Sequence, residues 1–521
     1  MYMTESKVPF FAAIKALFSG LSRSYMKYIN TRNKSQSVSG ARAIISGIGE
    51  NSGLFVPEQI PKISFDEIKM LAEQDYCYRA AYIMHKYLDE FKFDELLEFS
   101  KAAYKKFSGD AAPLIKIDEN LYILELWHGP TLAFKDVALT MLPYLLVKSK
   151  EKNKDKTHTL ILVATSGDTG KAALEGFKDI ENTSIIVFYP TDGVSSMQKL
   201  QMMTQDGKNV GVFGVKGNFD DCQTAVKNIF ADAKINKEFK AQNIVLSSAN
   251  SINWGRLLPQ IVYYISAYVD LVSENQIEMG DKINFSVPTG NFGDILAGWY
   301  AYKMGLPVNK LICASNSNNV LTDFFNKGEY NAKRELIRTM SPSMNILISS
   351  NLERLVFENS ERDDSKTLQR FSDLKEKSYF RISEEELIKL KQVFFGAFCP
   401  EDDTIEEMEY FFEEYGYPLD PHTSVAAYCH KKYRKQTEDK KPTVILATAN
   451  PYKFPQDVVY ALTGDDVKDS FRACKKLHAH TAMEVPLSIV ELKDKPKRFE
   501  EVIKKDEILD TVRSFVQKIK K

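Results

Sequence analysis

The run Thr159-Leu-Ile-Leu-Val-Ala164 constrains this chain more than any other segment. It is continuously apolar and rich in branched side chains, with no polar residue at alternate positions to meet water. Such a strand is stable when both its faces are covered, as in the parallel sheets of α/β proteins. Thr165-Ser-Gly-Asp-Thr-Gly170 follows at once, and then a helical pattern. Strand, small-residue turn and helix in that order make one crossover unit of a parallel sheet. Further strand-like runs lie at 121–126, 184–189, 210–215, 244–247, 283–287, 310–314 and 443–447. Helical stretches at 134–146, 195–205, 219–235 and from about 293 lie between them. The alternation predicts an α/β fold with open, mostly parallel sheets and helices on both faces.

Other regions read differently. Residues 26–120 are expected to be mainly helical, because 65–71, 77–88 and 93–107 carry apolar residues at helical spacing, with one short extended stretch at 54–56. The charge-dense run 148–156 reads as a solvated loop with nothing to bury. A polar helical region is expected over 320–440 and a charged helix over 498–521. The apolar stretch 8–21 is interrupted by Lys15 and is shorter than the ~20 residues a bilayer span needs. Glu5 and Lys7 cancel before it and no small-residue cleavage pattern follows, so it reads as an extension rather than a signal peptide.

Composition narrows the function classes. With 44% hydrophobic and 27% charged residues, wholesale disorder is excluded, and 521 residues make room for two to four domains. Lys plus Arg number 69 against 70 Asp plus Glu, which argues against a broad nucleic-acid or anionic-membrane surface. Cys77, Cys222, Cys313, Cys399, Cys429 and Cys474 form no C-x-x-C pair, so neither a metal site nor a disulfide framework is expected, and a reducing cytoplasm fits.

Five segments carry candidate chemistry, each at a place where α/β sheets bind ligands, beyond the carboxyl ends of strands. In His128-Gly-Pro-Thr-Leu-Ala-Phe-Lys135-Asp136 a lysine opens a helix after an apolar triplet. Dipole and desolvation both favour its neutral amine, the form that attacks an aldehyde. Ser166, Gly167, Asp168 and Thr169 form a turn suited to an anion at a helix N-terminus. It is not a P-loop, since only two residues separate Gly167 and Gly170, and Ala172 follows Lys171. Pro288-Thr-Gly-Asn-Phe-Gly-Asp294 is a second such turn, in which Gly290 and Gly293 allow close backbone approach. Asn250-Ser-Ile-Asn-Trp-Gly-Arg256 brings amides, a hydroxyl and a guanidinium together, a set suited to phosphate oxygens. Thr448 closes the strand at 443–447 with a neutral hydroxyl, which leaves a heterocyclic nitrogen beside it unprotonated. Each signal is weak alone, since a snorkelling lysine or a capped turn would look the same. Together they describe an amine nucleophile, two or three anion turns and a strand-end hydroxyl, which is what a pyridoxal phosphate site requires.

These residues resemble the threonine synthase family, within the fold type II, tryptophan synthase β-like pyridoxal phosphate enzymes. The likeness runs over about 26–465, through Met26-Lys-Tyr-Ile-Asn-Thr-Arg32, Gly53-Leu-Phe-Val-Pro57, the lysine segment and the turns above, 348–355 and 420–428. It implies an extension at 1–25, an N-terminal domain at 26–120, a catalytic region of two α/β subdomains at 121–465 and a helical segment at 466–521. It implies Lys135 as the Schiff-base lysine and proton carrier, and Gly290, Asn291, Phe292 and Gly293 at the cofactor phosphate. Thr448 would face the pyridine nitrogen. Ser166, Gly167, Asp168 and Thr169 would hold the substrate carboxylate and flank the ring, and Asn250, Ser251 and Arg256 would hold the substrate phosphate. The implied reaction converts O-phospho-L-homoserine and water to L-threonine and phosphate, with released phosphate guiding the water. A monomer or homodimer without nucleic-acid or membrane partners is expected. A phospho-lyase or a serine/threonine dehydratase of the same fold is the alternative enzyme. A non-catalytic pyridoxal phosphate carrier would be expected to have lost Lys135 or the loops. Asn450 and Asn345 depart from the family pattern, which has histidine and aspartate there in many members.

Overall fold

The computed structural model describes residues 25–165, 167–191 and 194–519. The expected extension at 1–25 therefore lies almost wholly outside the described residues, as does Ser166. The chain begins with a three-stranded antiparallel sheet, β1 (Lys27–Asn30), β2 (Asn33–Ser39) and β3 (Phe55–Pro57), in the order β2-β1-β3. Of these strands only the short β3 was expected, as the extended stretch at 54–56; β1 and β2 stand where a mainly helical start was expected. β2 reads NKSQSVS and is half-exposed throughout, so it carries no hydrophobic alternation by which a strand is recognised. The helices Phe65–Ala72, Tyr76–Tyr87 and Phe93–Tyr104 lie where the periodicity puts them. Ser64 and Asp75 cap the first two by accepting from Glu67 N and Tyr78 N.

Two sheets form the rest. The larger contains β4 (Leu114–Asp118), β5 (Leu121–Glu125), β10 (Ile283–Pro288), β11 (Val308–Ser315), β14 (Phe394–Phe398) and β15 (Thr443–Ala447). Its order is β14-β11-β10-β15-β5-β4, parallel except for the edge pair β4–β5. The smaller contains β6 (His158–Ala164), β7 (Thr183–Pro190), β8 (Val210–Lys216), β9 (Ile244–Ser247) and β16 (Val502–Lys504), all parallel in the order β16-β8-β7-β6-β9. A minor pair, β12 (Glu329–Asn331) with β13 (Tyr379–Arg381), lies apart from both. β6 is buried from Thr159 to Ala164, as its unbroken apolar run requires. The helix Trp254–Ser273 is buried along most of its length, and packs against the helices Gly293–Met304 and Tyr76–Tyr87. No helix among the described residues is long and apolar enough to cross a membrane.

Four local expectations are corrected. The run 148–156 is not a loop throughout, because the helix Leu142–Lys152 continues into it. Ser149 and Lys150 are buried there, and Lys150 Nζ donates to Thr159 Oγ1 at 2.8 Å while its stem covers apolar surface. The helix at 134–146 is two helices, Lys135–Leu139 and Leu142–Lys152, with Pro143 in the first turn of the second, where its missing N–H costs nothing. The helix at 219–235 is also two, because Asp232 accepts from Lys234 N and Ile235 N and starts a new one, Ala233–Ala241. The regions read as helical at 320–440 and 498–521 supply β14 and β16 to the two sheets. Both are short runs that periodicity cannot separate from helix.

Candidate active site

The loops after β5, β6, β9, β10 and β15 meet in one cavity of about 200 Å³. Lys135, Asp168, Thr169, Asn250, Ser251, Arg256, Gly290, Asn291, Phe292, Gly293 and Thr448 all line it. Gly167 does not; its φ of 148° and the place of a Cβ 2.6 Å from the Gln198 side chain make it a packing glycine behind the wall.

Lys135 opens a helix whose preceding loop is tied to the end of β15. Phe134 N donates to Thr448 O at 2.9 Å and Asn450 N to Leu132 O at 3.1 Å. Leu132 takes a left-handed backbone, φ 65°, which turns the chain into the helix. Asp136 is buried and accepts from Thr131 N and Oγ1 at 2.7 and 2.6 Å; burial pushes its carboxyl up to about 6. Lys135 Nζ lies 4.5 Å from the centre of the Phe134 ring and 3.7 Å from Asp168 Oδ2. Burial lowers its pKa, Asp168 opposes that, and Arg256 and Lys453 push further down. The neutral amine expected from the sequence is favoured, mainly by desolvation.

The Asp168 side chain has close partners of its own. Its carboxylate is turned to Lys453 Nζ at 3.0 Å and Gln198 Nε2 at 2.9 Å. Burial alone would raise its pKa, but the neighbouring Lys453 and Lys135 side chains, Lys453 foremost, hold it well below the usual carboxylate range. An ionised carboxylate repels a substrate carboxylate, so only the backbone of this turn suits that anion. Thr165 Oγ1 accepts from Gly167 N and Gly170 N at 3.0 Å each and fixes the turn.

The turn after β10 is shaped for an anion. A Cβ on Gly290 would stand 2.8 Å from Ser343 O, so the position admits only glycine without a shift. Phe292 adopts φ 65°, a strained conformation for a bulky residue, held by its ring packing on Phe325 and Phe394, each 5.9 Å away. Residues 349–351 hold the turn from outside: Ser349 Oγ donates to Gly290 O at 2.8 Å and Asn351 N to Asn291 O at 3.0 Å. The helix Gly293–Met304 presents its first N–H groups to the cavity side.

Arg256 is 4% exposed and donates from Nη1 to Ala249 O at 2.7 Å. Burial pushes its pKa down to about 10, so it remains a cation at neutral pH. Asn253 caps its helix by accepting from Gly255 N at 2.9 Å.

Sequence reasoning missed Lys453, Gln198, Ser343, Asp294 and His422. Lys453 is fully buried and donates to Thr131 O at 2.6 Å and Gln201 Oε1 at 3.1 Å. Asp294 accepts from Tyr263 and Tyr264 through Oδ1, at 2.5 and 2.9 Å, while its buried Oδ2 has no partner among the described residues. His422 pairs with Asp420 through Nδ1 at 2.7 Å, and Nε2 accepts from Ser343 N at 3.2 Å. A lysine next to Tyr452 and Phe454 was the available signal for Lys453. It looks the same as a snorkelling lysine until its partners are known.

The residues fit pyridoxal phosphate. Lys135 supplies an amine for the aldehyde, the cradle at 290–293 is closed to any side chain at Gly290, and Thr448 offers a neutral hydroxyl at a strand end. A parallel-sheet cleft with this lysine, this cradle and this hydroxyl defines a pyridoxal phosphate-dependent enzyme of fold type II.

Comparison with known proteins narrows the class. The family model for the threonine synthase N terminus matches residues 27–104, that for pyridoxal-phosphate dependent enzymes 110–449, and that for the threonine synthase C-terminal region 423–516. Threonine synthase of Pseudomonas aeruginosa is 36% identical over 84% of this chain and 91% of its own. Human threonine synthase-like 1 is 39% identical over 82% of this chain but only 59% of its own, so this chain spans about three fifths of that relative. The crystal structure of pyridoxal phosphate-bound threonine synthase from Brucella melitensis is 34% identical, with TM-score 0.83 over 94% of this chain and 99% of that one. The yeast threonine synthase structure is 32% identical, also with TM-score 0.83. The chain belongs to the threonine synthase family.

Proposed function

We propose that this protein converts O-phospho-L-homoserine and water to L-threonine and phosphate, the last step of threonine biosynthesis. One observation carries this reading: Arg256, Asn250 and Ser251 line the same cavity as Lys135 and the cradle at 290–293. A site with one anion turn for a cofactor phosphate and a separate buried guanidinium suits a substrate with a phosphate of its own. A dehydratase acting on serine or threonine has no use for the second.

Pyridoxal phosphate, when bound, supplies an electron sink for carbanions next to the substrate's α carbon. The protein's part follows from its own groups. Residues 290–293 would hold the cofactor phosphate, and Thr448 would offer the ring nitrogen a neutral hydroxyl in place of a carboxylate. Lys135, whose basicity burial lowers, would move protons at the α and β carbons. Asp168, held ionised by Lys453, stands behind Lys135 and orients it. Backbone groups at 166–169 hold the substrate carboxylate, and Arg256 with Asn250 and Ser251 holds the departing phosphate. The domain division at 26–120, 121–465 and 466–521 belongs to the same reading, as does a cytoplasmic location, supported by six unpaired cysteines. Oligomeric state is proposed as monomer or homodimer.

Threonine as the product from O-phosphohomoserine supports the proposal; 2-oxobutanoate as the only organic product makes the protein a phospho-lyase instead. Two variants test the site. A hydrogen bond to a charged group contributes about 1.5–3 kcal/mol, so Arg256→Ala should lower kcat/KM for O-phosphohomoserine by roughly one to two powers of ten. Arg256→Lys should recover only part, because a point charge lacks the planar fork. Unchanged kinetics in Arg256→Ala would remove the residue from the phosphate site. Thr448→Asp should raise the basicity of the ring nitrogen beside it. Slower threonine formation and a build-up of transaminated cofactor, read in the absorption spectrum, are expected. A wild-type spectrum and wild-type rate would place Thr448 away from the ring.

A further inference from the structure

The helix Leu352–Asn359 lies next to the catalytic cavity without lining it. It carries Arg354, whose side chain is fully buried. Burial pushes its pKa down to about 10, so it is a cation at neutral pH. Among the described residues no carboxylate pairs with it. Its donors go to uncharged oxygens instead: Nη1 to Asn351 Oδ1 at 2.5 Å, Nη2 to Ile252 O at 2.5 Å and Nε to Phe55 O at 3.0 Å.

The three acceptors belong to different parts of the chain. Asn351 donates from N and Nδ2 to Asn291 O, at 3.0 and 3.2 Å, and so holds the turn at 290–293. Ile252 lies between Ser251 and Asn253, inside the guanidinium segment 250–256, and lines the cavity. Phe55 opens β3 of the N-terminal sheet. The arginine is itself held in place. Its neighbour Glu353 takes the Arg32 fork at 3.0 and 2.7 Å and Thr31 Oγ1 at 2.6 Å, which fastens the helix to the turn after β1. Trp254, within 250–256, has its ring centre 5.9 Å from Arg354 Cζ.

An ionised side chain kept from water with no counter-ion is costly, and an apolar residue of like volume would remove that cost. A planar fork, however, is the group that reaches several acceptors in different directions at once. The charge has a use as well. The two site segments it joins are the ones proposed to hold the cofactor phosphate and the substrate phosphate, and a buried cation adjoining both favours both anions.

We propose that Arg354 is a positioning residue that fixes the turn at 290–293 against the segment at 250–256 and registers both on the N-terminal sheet. Its effect on 250–256 rests on the proposed function, whereas its effect on the cofactor cradle stands whichever reaction the enzyme performs.

The test uses the holoenzyme with Arg354→Met, which keeps most of the volume and removes the donors, and with Arg354→Lys, which keeps the charge and loses the fork. Cofactor loss on dialysis is followed by absorbance, and inorganic phosphate binding by calorimetric titration. Arg354→Met should lose cofactor about tenfold faster and bind inorganic phosphate about tenfold more weakly, since a charged hydrogen bond to each support is gone. Arg354→Lys should recover only part of both, and serves alone if Arg354→Met does not fold. Arg79 is the control for general stability. It is also buried, and it donates to Leu71 O, Ser266 Oγ and Asp270 Oδ1, none of which lines the cavity. Arg79→Met should lower Tm while leaving cofactor loss and phosphate binding at wild-type values. Three results overturn the inference: wild-type cofactor loss in Arg354→Met, wild-type values of both quantities in Arg354→Lys, or losses in Arg79→Met equal to those in Arg354→Met at the same fall in Tm. An unaltered holoenzyme that binds no inorganic phosphate at about 10 mM would instead overturn the phosphate reading of 250–256, and with it that half of the inference, while cofactor loss still decides the other half.

Discussion

Lys135→Ala is expected to abolish the proposed threonine formation while leaving the fold and part of the cofactor affinity intact. The loss should exceed roughly a thousandfold, since one group is removed that both holds the cofactor and moves protons, and proton transfer alone contributes about 10²–10⁴. The cradle at 290–293 is built by Gly290, Phe292 and residues 349–351, none of which touches Lys135, so phosphate binding should survive in part. The matching experiment on the unaltered protein is borohydride reduction followed by peptide mapping. Lys135 should carry the label. The informative rival is Lys453, the other lysine paired with Asp168. Lys453 is wholly buried and committed to Thr131 O and Gln201, and does not line the cavity. Label on Lys453 would overturn the assignment.

Lys453→Met is expected to be the most damaging change outside the catalytic lysine. It leaves Asp168 buried with its nearest cation gone. Breaking a buried ion pair from one side typically costs about 3–5 kcal/mol. Part of the cost should return in the double variant Lys453→Met/Asp168→Asn, which removes both charges. The pH dependence gives a second readout. Asp168 has a depressed pKa, so the pair's stability is present above the ordinary carboxylate range and is lost only as pH falls through that depressed value. Without Lys453 that pKa rises, and the loss of stability on acidification begins at higher pH. Lys453 also lowers the Lys135 pKa, after burial and Arg256. Removing it favours the protonated amine, so the acidic limb of the pH–rate profile should move to higher pH. A stable single variant with an unmoved pH–rate profile would show that Lys453 supports neither neighbour.

The sequence was most legible where structure is local. An unbroken apolar strand followed by a small-residue turn needs no distant partner to be recognised, which is why β6, β10 and β15 are legible with the turns after them, and Asp168, Thr169, Gly290–Gly293 and Thr448 of those turns line one cavity. It was least legible where polar or short strands borrow their order from elsewhere. NKSQSVS becomes β2 because β1 pairs with it, Val38 opposite Tyr28, and the run 394–398 becomes β14 because Leu311 on β11 lies opposite Phe394. Lys150 reads as surface in a charged run, yet it is buried because Thr159 at the start of β6 gives its ammonium a partner.

The same division holds in the site. The sequence by itself determined the class of chemistry: a lysine at a helix start, two glycine-bearing anion turns, a guanidinium segment and a strand-end hydroxyl. Each of these acts through its own backbone conformation or its own functional group, and both are written locally. Tertiary structure alone decided which charges meet. Lys453 reaches Thr131 across 322 positions of sequence, and with Asp168 it fixes the field in which Lys135 works. It also set the Asp168 carboxylate 3.0 Å from Lys453 Nζ and 3.7 Å from Lys135 Nζ. Electrostatic energy depends on distance and desolvation, and both are set by how the two sheets and the helix Trp254–Ser273 close on one another, which no short stretch of residues specifies.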